Sequence, residues 1–180
     1  MRVLVAYASE FGSTRDMAQR IGAVLGRHGL EVFVAPVDAA PHPTQFDAFV
    51  IGSAIHGNHW LPAATEYVRN EATILSSRPV WLFSSGPVGD TAVRAMEAKG
   101  ATEPAEIREL ERLFAPRQHR VFAGAFDRQT ADFSELGLVE RTLVRRFLPD
   151  GDWRDWREIE AWAGSIAAQL VRRGAASAAR

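Results

Sequence analysis

The fold of this chain is decided close to its start, by the segment Val3-Leu4-Val5-Ala6-Tyr7-Ala8-Ser9-Glu10-Phe11-Gly12-Ser13-Thr14. The part before Ser9 is a largely apolar run, which is typical of a strand buried on both faces of a parallel sheet. Behind the segment, Met17, Ile21 and Leu25 recur at helical spacing, so residues 9–14 are predicted to join a strand to a helix. A helix start presents unpaired N–H groups and the positive end of the helix dipole. We therefore expect an anion to bind at residues 9–14.

The side chains of this turn indicate which anion it would hold. Ser9, Ser13 and Thr14 supply hydroxyls, but no lysine follows, as it does in the loop that holds a nucleoside triphosphate with magnesium. A phosphate held by hydroxyls and amides is typical of flavin mononucleotide (FMN). An ordinary strand-to-helix turn, with Ser9 or Ser13 as its N-cap, is the alternative interpretation.

The composition excludes several classes of protein. The chain has 180 residues, enough for one domain with a core on both sides of a sheet. It has no cysteine, which excludes disulfides, cysteine-bound zinc, iron–sulfur clusters and thiol catalysis. Its 21 basic and 22 acidic residues give a net charge of -1, so the charge does not favour nucleic acid as a partner. Redox chemistry would therefore need a bound organic cofactor.

The sequence also predicts where the protein is located. The N-terminus enters a strand at once, without the pattern of a signal peptide, and no apolar run is long enough to span a membrane. We expect a cytoplasmic protein whose membrane contact is at most peripheral, at the inner face of the membrane.

Predicted strands and helices alternate along the chain, which indicates an α/β fold with a doubly wound parallel sheet covered by helices on both faces. Five strands are predicted, at residues 3–8, 31–35, 46–52, 79–84 and 120–125. One helix is predicted to start at the segment Thr102-Glu103-Pro104, and the last helix to start at the capping motif Asp155-Trp156-Arg157-Glu158. We expect one domain over residues 1–173, with an insertion at 126–154 and a frayed tail at 174–180.

The insertion at residues 126–154 is too long for a connection without structure of its own. An apolar helix face is predicted in it from the spacing of Leu136, Val139, Leu143, Val144 and Phe147. Arg141, Arg145 and Arg146 lie elsewhere on the same predicted helix. Either the helix packs on the domain with solvated arginines, or it is a lid or docking segment that offers positive charge to an acidic substrate, a partner or a lipid headgroup.

Three loops that follow predicted strands have compositions suited to a flat ligand. They span residues 9–14, 52–60 and 84–90. In an open parallel sheet, ligands bind beyond the carboxyl ends of the strands, where these loops would meet. Their glycines let the backbone approach a ring closely, and a flavin ring needs a backbone edge and apolar cover. The three loops together favour a flavin more strongly than any one of them.

These loops resemble those of a known family. The motif Ser9-x-x-Gly12-Ser13-Thr14 resembles the phosphate loop of flavodoxin-like proteins. The segment Ile51-Gly52-Ser53-Ala54-Ile55-His56-Gly57-Asn58-His59-Trp60 is similar to one branch, the flavodoxin-domain, menaquinone-dependent protoporphyrinogen oxidases. The segment Val121-Phe122-Ala123-Gly124-Ala125-Phe126 is similar to the fifth strand of that branch. The resemblance covers essentially the whole chain.

The resemblance implies a sheet order of 2-1-3-4-5, FMN as the cofactor, and a role for each loop. The FMN phosphate would be bound by Ser9, Gly12, Ser13 and Thr14, with backbone from Glu10 and Phe11. The flavin ring would lie between Ala54, Ile55, His56 and Gly57 on one side and Ser85, Gly86, Pro87 and Val88 on the other. The insertion replaces a segment that shapes the substrate side of the branch, which makes Arg141, Arg145 and Arg146 candidate partners for substrate carboxylates.

The chain departs from this branch at His56-Gly57, where the branch has a basic residue and then an aromatic one. Without that ring, one flavin face is less covered, which would loosen binding or admit a different substrate. His56 either stabilises negative charge on the flavin or relays a proton, or it is a loop residue with no such role. The pattern His56-x-x-His59 is not predicted to bind a metal, because no carboxylate pair or cysteine accompanies it.

The resemblance implies an FMN-dependent oxidoreductase that removes hydrogen from an organic substrate such as protoporphyrinogen and passes electrons to a quinone or a redox protein. One alternative is a flavodoxin-type electron carrier between protein partners. Such carriers tend to be strongly acidic so that they dock on basic partners, unlike this chain with its net charge of -1. The other alternative is a flavin-free binding module, against which the hydroxyl-rich loop at residues 9–14 argues.

Overall fold

A computed structural model describes residues 1–101, 103–129 and 137–178 of the chain. Its strands are β1 (Arg2–Ala8), β2 (Glu31–Pro36), β3 (Ala48–His56), β4 (His59–Trp60), β5 (Val80–Ser85), β6 (Gln118–Phe122), β7 (Ala125–Phe126) and β8 (Gly151–Asp152). Its helices are α1 (Ser13–Arg27), α2 (Pro62–Asn70), α3 (Ala72–Leu75), α4 (Asp90–Lys99), α5 (Ile107–Phe114), α6 (Leu138–Phe147) and α7 (Trp156–Ala178). Short 3-10 turns lie at Val37–Ala39 and Pro43–Gln45.

The central sheet is parallel and has the order β2-β1-β3-β5-β6. This order confirms the predicted arrangement of five strands, 2-1-3-4-5, once the short β4 is left out of the numbering. β4 pairs antiparallel with the end of β3 as a hairpin, and β7 pairs antiparallel with β8 as a separate ribbon. The carboxyl ends of β1, β3 and β5 lie side by side, so the loops that follow them meet at one edge of the sheet.

Side chains on successive positions of the strands enter two cores, one on each face of the sheet. Val3 and Val5 of β1 pack in the core covered by α1 and α7, whereas Leu4 and Ala6 pack in the core covered by α2, α3 and α5. This alternation follows from the two-residue period of a strand. Because both faces are buried, β1 carries an unbroken apolar sequence, which is why it could be predicted.

The last helix begins where the capping motif predicts. The carboxylate Oδ1 of Asp155 accepts hydrogen bonds from the backbone N–H groups of Arg157 (2.9 Å) and Glu158 (3.1 Å). The helix then continues to Ala178, past the predicted domain boundary at residue 173. Fraying of residues 174–180 stays a prediction.

Two local predictions are wrong, and one helix is not predicted at all. The fifth strand of the sheet ends at Phe122 rather than residue 125, because Gly124 leaves the sheet to donate to the carbonyl of Pro87 (2.8 Å) and to accept from the N–H of Trp153 (3.1 Å). α5 begins at Ile107 rather than at the predicted start Thr102-Glu103-Pro104, of which Thr102 lies outside the described residues, since the N–H of Ala105 donates to the carbonyl of Asn58 in the β3–β4 hairpin (3.0 Å). α4 was not predicted, because Val93 is its only buried residue and its sequence shows no strong apolar period.

The insertion contains the predicted helix as α6, and part of its predicted apolar face is exposed. Leu143 and Phe147 are 50% and 69% exposed, so this part of the face is not packed on the domain. Leu136 and the side chain of Val139 lie outside the described residues. At the base of α6, Arg128 donates from its backbone N–H to Asp150 Oδ1 (2.7 Å) and from its guanidinium to the carbonyl of Leu148 (3.2 Å).

In the described part of the chain, no helix combines the length and the apolar character that crossing a membrane requires.

Candidate functional site

The loops after β1, β3 and β5 enclose a cavity of about 340 Å³. This volume lies within the range of small-molecule sites. Every residue predicted to bind the cofactor lines it except Gly12, which lies in the adjoining phosphate loop: Ser9, Glu10, Phe11, Ser13, Thr14, Ala54, Ile55, His56, Gly57, Ser85, Gly86, Pro87 and Val88. The structure therefore brings together three segments that are far apart in the sequence.

The phosphate loop begins α1 without a side-chain cap. Gly12 occupies the N-cap position with a φ of 87°, a left-handed conformation that favours glycine. Glycine has no side chain to cap the helix, so the first N–H groups of α1 after Gly12 are available to an anion. The hydroxyl of Ser9 accepts from the N–H of Gly12 (3.1 Å) and shapes the turn.

Thr14 carries the clearest mark of a ligand in this loop. Its side chain is fully buried, and its Oγ1 has no hydrogen-bond partner among the described residues. A buried hydroxyl without a partner is costly, on the order of 1–3 kcal/mol, and native structures rarely keep one without a reason. A phosphate oxygen in the cavity would supply the missing partner.

Ser13 is committed to a different contact from the one predicted. Its hydroxyl accepts from the backbone N–H of Ala125 (3.0 Å) and lies 3.1 Å from Oγ of Ser85. This hydroxyl thus joins the phosphate loop to β7 and to the end of β5. Of the three hydroxyls predicted to hold phosphate, that of Thr14 is the one without a partner among the described residues.

The ring side of the cavity is formed by backbone and apolar side chains. Gly86 has a φ of 137°, and a Cβ added there would lie 3.5 Å from Cβ of Ile55. Its N–H donates to the carbonyl of Phe122 (2.9 Å), which fixes the loop after β5 against β6. Ile55 and Pro87 both line this part of the cavity.

Sequence reasoning missed a fourth wall of the cavity. Gly124, Ala125, Phe126 and Leu148 complete its lining. Phe126 is buried and meets the ring of Phe11 edge-on, with 5.2 Å between centroids. The alternation of apolar and small residues in Val121-Phe122-Ala123-Gly124-Ala125-Phe126 was assigned to a strand, although Gly124 was a signal for the break that turns Phe126 toward the cavity.

One ion pair closes the cavity between two of its loops. Nε2 of His56 lies 2.8 Å from Oε2 of Glu10, and the ring of His56 lies 6.2 Å from that of Phe11. The hydrogen bond to the Glu10 carboxylate raises the pKa of His56, against the opposing effect of partial burial. A titratable group with a perturbed pKa therefore borders the cavity.

Comparison with known proteins agrees with this geometry. Residues 4–148 match the sequence model of a family described as "Flavodoxin domain". The chain belongs to the flavodoxin-domain family. This confirms the predicted fold and, since flavodoxin domains bind FMN, confirms FMN as the cofactor of the family.

Individual relatives are more distant. The "Protoporphyrinogen IX dehydrogenase [quinone]" of Escherichia coli K12 is 31% identical over 86 residues, which are 47% of this chain and 48% of that protein. The chain thus spans about half the length of the curated relatives it matches. An archaeal flavodoxin has a TM-score of 0.60 at 17% identity, over 94% of this chain and 99% of that one. The rubredoxin oxygen:oxidoreductase of Desulfovibrio gigas has a TM-score of 0.52 at 17% identity, over 95% of this chain and 36% of that one. These two structures show the fold alone.

The β3–β4 hairpin of this flavodoxin domain is anchored by a chain of hydrogen bonds between side chains. Nε1 of Trp60 donates to Oγ of Ser84 (2.8 Å), and that Oγ lies 2.8 Å from Nε2 of His119. Nδ1 of His119 lies 3.4 Å from a carboxylate oxygen of Glu103, while burial lowers the pKa of His119. Although serine, histidine and glutamate are in line, Ser84 is fully buried and cannot meet a substrate. These hydrogen bonds hold β4 against β5.

The two histidines of the hairpin take different carboxylate partners. His59 Nδ1 lies 2.7 Å from Oε1 of Glu106, whose Oε2 accepts from the backbone N–H of Trp60 (3.1 Å). His56 pairs with Glu10 instead. Glu106 stands at the start of α5. These contacts therefore join the β3–β4 hairpin to that helix and hold it in place.

The arginines predicted to meet a substrate are only partly described. Arg146 is exposed, with its guanidinium 6.0 Å from the centre of the Phe147 ring, and it does not line the cavity as described. The side chains of Arg141 and Arg145 lie outside the described residues. The end of α6 nevertheless reaches the site, because Leu148 directly after it lines the cavity.

Proposed function

We propose that this flavodoxin domain binds FMN in the 340 Å³ cavity and acts as an FMN-dependent oxidoreductase. We further propose that it is of the protoporphyrinogen dehydrogenase kind, taking hydrogen from a reduced organic substrate and passing electrons to a quinone or a redox protein. The observation that carries the proposal is the buried hydroxyl of Thr14, which lines the cavity beside the start of α1 and lacks a partner among the described residues.

The phosphate of FMN would be held at the start of α1. Oγ1 of Thr14 would donate to a phosphate oxygen, and the first N–H groups of the helix would donate to others. The hydroxyl of Ser9 accepts from Gly12, which leaves its proton for the phosphate. Ser13 would act indirectly, by holding the loop against Ala125 and Ser85.

The flavin ring would lie between the loops after β3 and β5. Ile55 and Pro87 would cover its faces, while the backbone around Gly57 and Gly86 would meet its edge. Phe11 and Phe126 would exclude water from the end near the phosphate. Bound FMN supplies the chemistry, since a flavin accepts hydride or single electrons and passes them on.

His56 would hold a proton at the edge of the ring. Its Nε2 proton is shared with the carboxylate of Glu10, so the protonated imidazole is favoured beside the cavity. A positive group there would favour negative charge nearby, the role expected for a proton-holding residue near a reducible ring. Glu10 would position His56 rather than meet the ring itself.

Two features support an enzyme over a carrier between proteins. The E. coli relative at 31% identity has a dehydrogenase name, and the alignment covers about half of each chain. Just before Leu148, which lines the cavity, α6 carries exposed Leu143 and Phe147 and exposed Arg146. An apolar surface with positive charge suits a substrate that is itself apolar and acidic, which is the role we propose for Arg141, Arg145 and Arg146.

The test is an anaerobic assay of the FMN-loaded protein with protoporphyrinogen as substrate and menadione as acceptor. We expect turnover that requires FMN and falls when Arg141, Arg145 and Arg146 are replaced together by glutamine, with FMN still bound. The matched control replaces Arg112, Arg117 and Arg120, which lie outside the insertion, and should leave turnover unchanged. A protein that binds and cycles FMN but never oxidises the porphyrinogen would contradict the dehydrogenase proposal and favour the electron carrier.

A further inference from the structure

A second cleft, of about 440 Å³, adjoins the flavin cavity. The two share Ile55, Gly86 and Pro87 as lining residues, but no residue of the phosphate loop lines the second cleft. The second cleft is closed on its far side by α4. Its volume is within the range of small-molecule sites, so it can hold a ligand of its own.

One face of α4 lines this cleft. Ala92, Ala95, Met96 and Lys99 all contribute to the lining, and their spacing places them along a single stripe of the helix. Val93, the buried residue of α4, holds the helix to the domain from a neighbouring position. The stripe is small and apolar for most of its length and ends in a cation.

The two polar side chains that line the cleft have no partner among the described residues. Lys99 is the only lysine of the chain, and among the described lining residues it is the only charged one. No ion pair or hydrogen bond joins its ammonium group to another described residue. The side-chain amide of Asn58, which also lines the cleft, likewise has no partner among the described residues. Because no lining carboxylate neutralises Lys99, the cleft favours an anionic group.

We propose that this cleft binds a narrow apolar molecule that carries one anionic group, such as an aromatic carboxylate. The apolar body would lie against Ala95 and Met96, and the anion would pair with the ammonium of Lys99 and accept from the amide of Asn58. The single cation selects a ligand with one anionic group, and the apolar stripe of α4 selects an apolar body attached to that group. This site goes beyond the proposed function, because it lies outside the cavity assigned to FMN.

The shared wall predicts that the two sites influence one another. An occupant of the second cleft would contact Ile55 and Pro87, the residues proposed to cover the flavin ring. A ligand that changes the position of these side chains changes the affinity for FMN, and FMN must change the affinity for that ligand by the same factor. The flavin spectrum is therefore a reporter of the second site.

The experiment titrates 2-naphthoate and its neutral analogue 2-naphthamide into the FMN-loaded protein, by calorimetry and by amide NMR shifts. We expect naphthoate to bind once per chain, about tenfold more tightly than naphthamide, as a charge-assisted hydrogen bond would give. The shifts should centre on α4. Lys99→Gln should remove the preference for the anion, and Ala95→Phe should abolish binding of both probes by filling the cleft.

The matched control is Arg94→Gln, which removes a cation from the same helix at an exposed position outside the lining. It should leave the binding of naphthoate unchanged. Equal affinity for the two probes, no binding of naphthoate at millimolar concentration, or an unchanged preference in Lys99→Gln would overturn the proposal. Displacement of FMN by naphthoate would also overturn it, because the probe would then occupy the flavin cavity. The same titration without FMN distinguishes a failure of this proposal from a failure of the proposed function, because naphthoate binding in the second cleft does not require bound flavin.

Discussion

Nε2 of His56, the last residue of β3, lies 2.8 Å from Oε2 of Glu10, in the loop after β1. The pair joins two of the three segments that line the cavity, and it does so at the side where the flavin ring is proposed to lie. His56 is about half exposed while Glu10 is mostly covered, so the pair can gain and lose its proton without unfolding. The contact between these two segments of the cavity lining is therefore sensitive to pH.

The pH dependence of this pair has a defined sign. Because the pKa of His56 is raised in the folded protein, its contribution to stability is fully present below the ordinary histidine pKa of about 6.5 and is lost as the pH rises through the raised value. We expect an NMR titration of His56 to give a pKa above the ordinary value. Glu10→Gln should lower that pKa, whereas Glu31→Gln, at a carboxylate paired with Arg2, should not. A His56 that titrates identically in the wild type and in Glu10→Gln would show that the pair does not form in solution.

Gly86→Ala should destabilise the protein and weaken FMN binding together. The φ of 137° at Gly86 is one that residues with a Cβ rarely adopt, so the expected loss is about 1–2 kcal/mol in the free energy of unfolding. Gly26→Ala is the control of opposite sign. Gly26 lies in α1 with open space around its Cα, so alanine there should stabilise by about 0.5–1 kcal/mol. Urea unfolding measures both, and a neutral Gly86→Ala would contradict the geometry of the loop after β5.

Ser84→Ala should break the buried chain behind the hairpin. It leaves Nε1 of Trp60 and Nε2 of His119 without their shared partner, which is expected to cost about 1–3 kcal/mol for the buried indole N–H. The control is Ser165→Ala, at an exposed serine of α7 that donates to the carbonyl of Trp162, with an expected change within about 0.5 kcal/mol. If thermal and urea unfolding place both variants level with the wild type, the chain does not hold β4 in place.

The sequence predicts the sheet because each buried strand is an apolar run and each strand is followed by a recognisable helix or turn. The stripe of Met17, Ile21 and Leu25 is dictated by the core and is therefore visible in the pattern. α4 is different, since with Val93 alone buried it owes its place to contacts outside its own sequence. One such contact is the hydrogen bond from Nε1 of Trp153 to Asp90 (2.6 Å).

The candidate site, like the fold, is predictable where the sequence pattern is local and not where it depends on contacts between distant residues. The loops after β1, β3 and β5 are marked by hydroxyls and glycines, whose use near a phosphate or a ring is a local property. The wall formed by Phe126 depends on the pairing of β7 with β8, which joins residues on opposite sides of the insertion. The hydroxyl of Ser13 accepts a hydrogen bond from Ala125, whereas that of Thr14 has no partner among the described residues. This difference depends on the position of Ala125, and no spacing in the sequence encodes that position.

The claim that FMN binds in this cavity through Thr14 is tested most directly by a fluorescence titration of FMN with the wild type, Thr14→Val and Thr65→Val. Thr65 is a buried threonine of α2 whose hydroxyl bonds within its own helix, so its variant controls for the loss of a buried hydroxyl elsewhere. We expect Thr14→Val to bind FMN about 10- to 100-fold more weakly, as expected for a lost hydrogen bond to a charged phosphate. Without FMN, Thr14→Val should be at least as stable as the wild type, because its buried hydroxyl has no partner to lose. Equal FMN affinity in the wild type and in Thr14→Val would contradict the account.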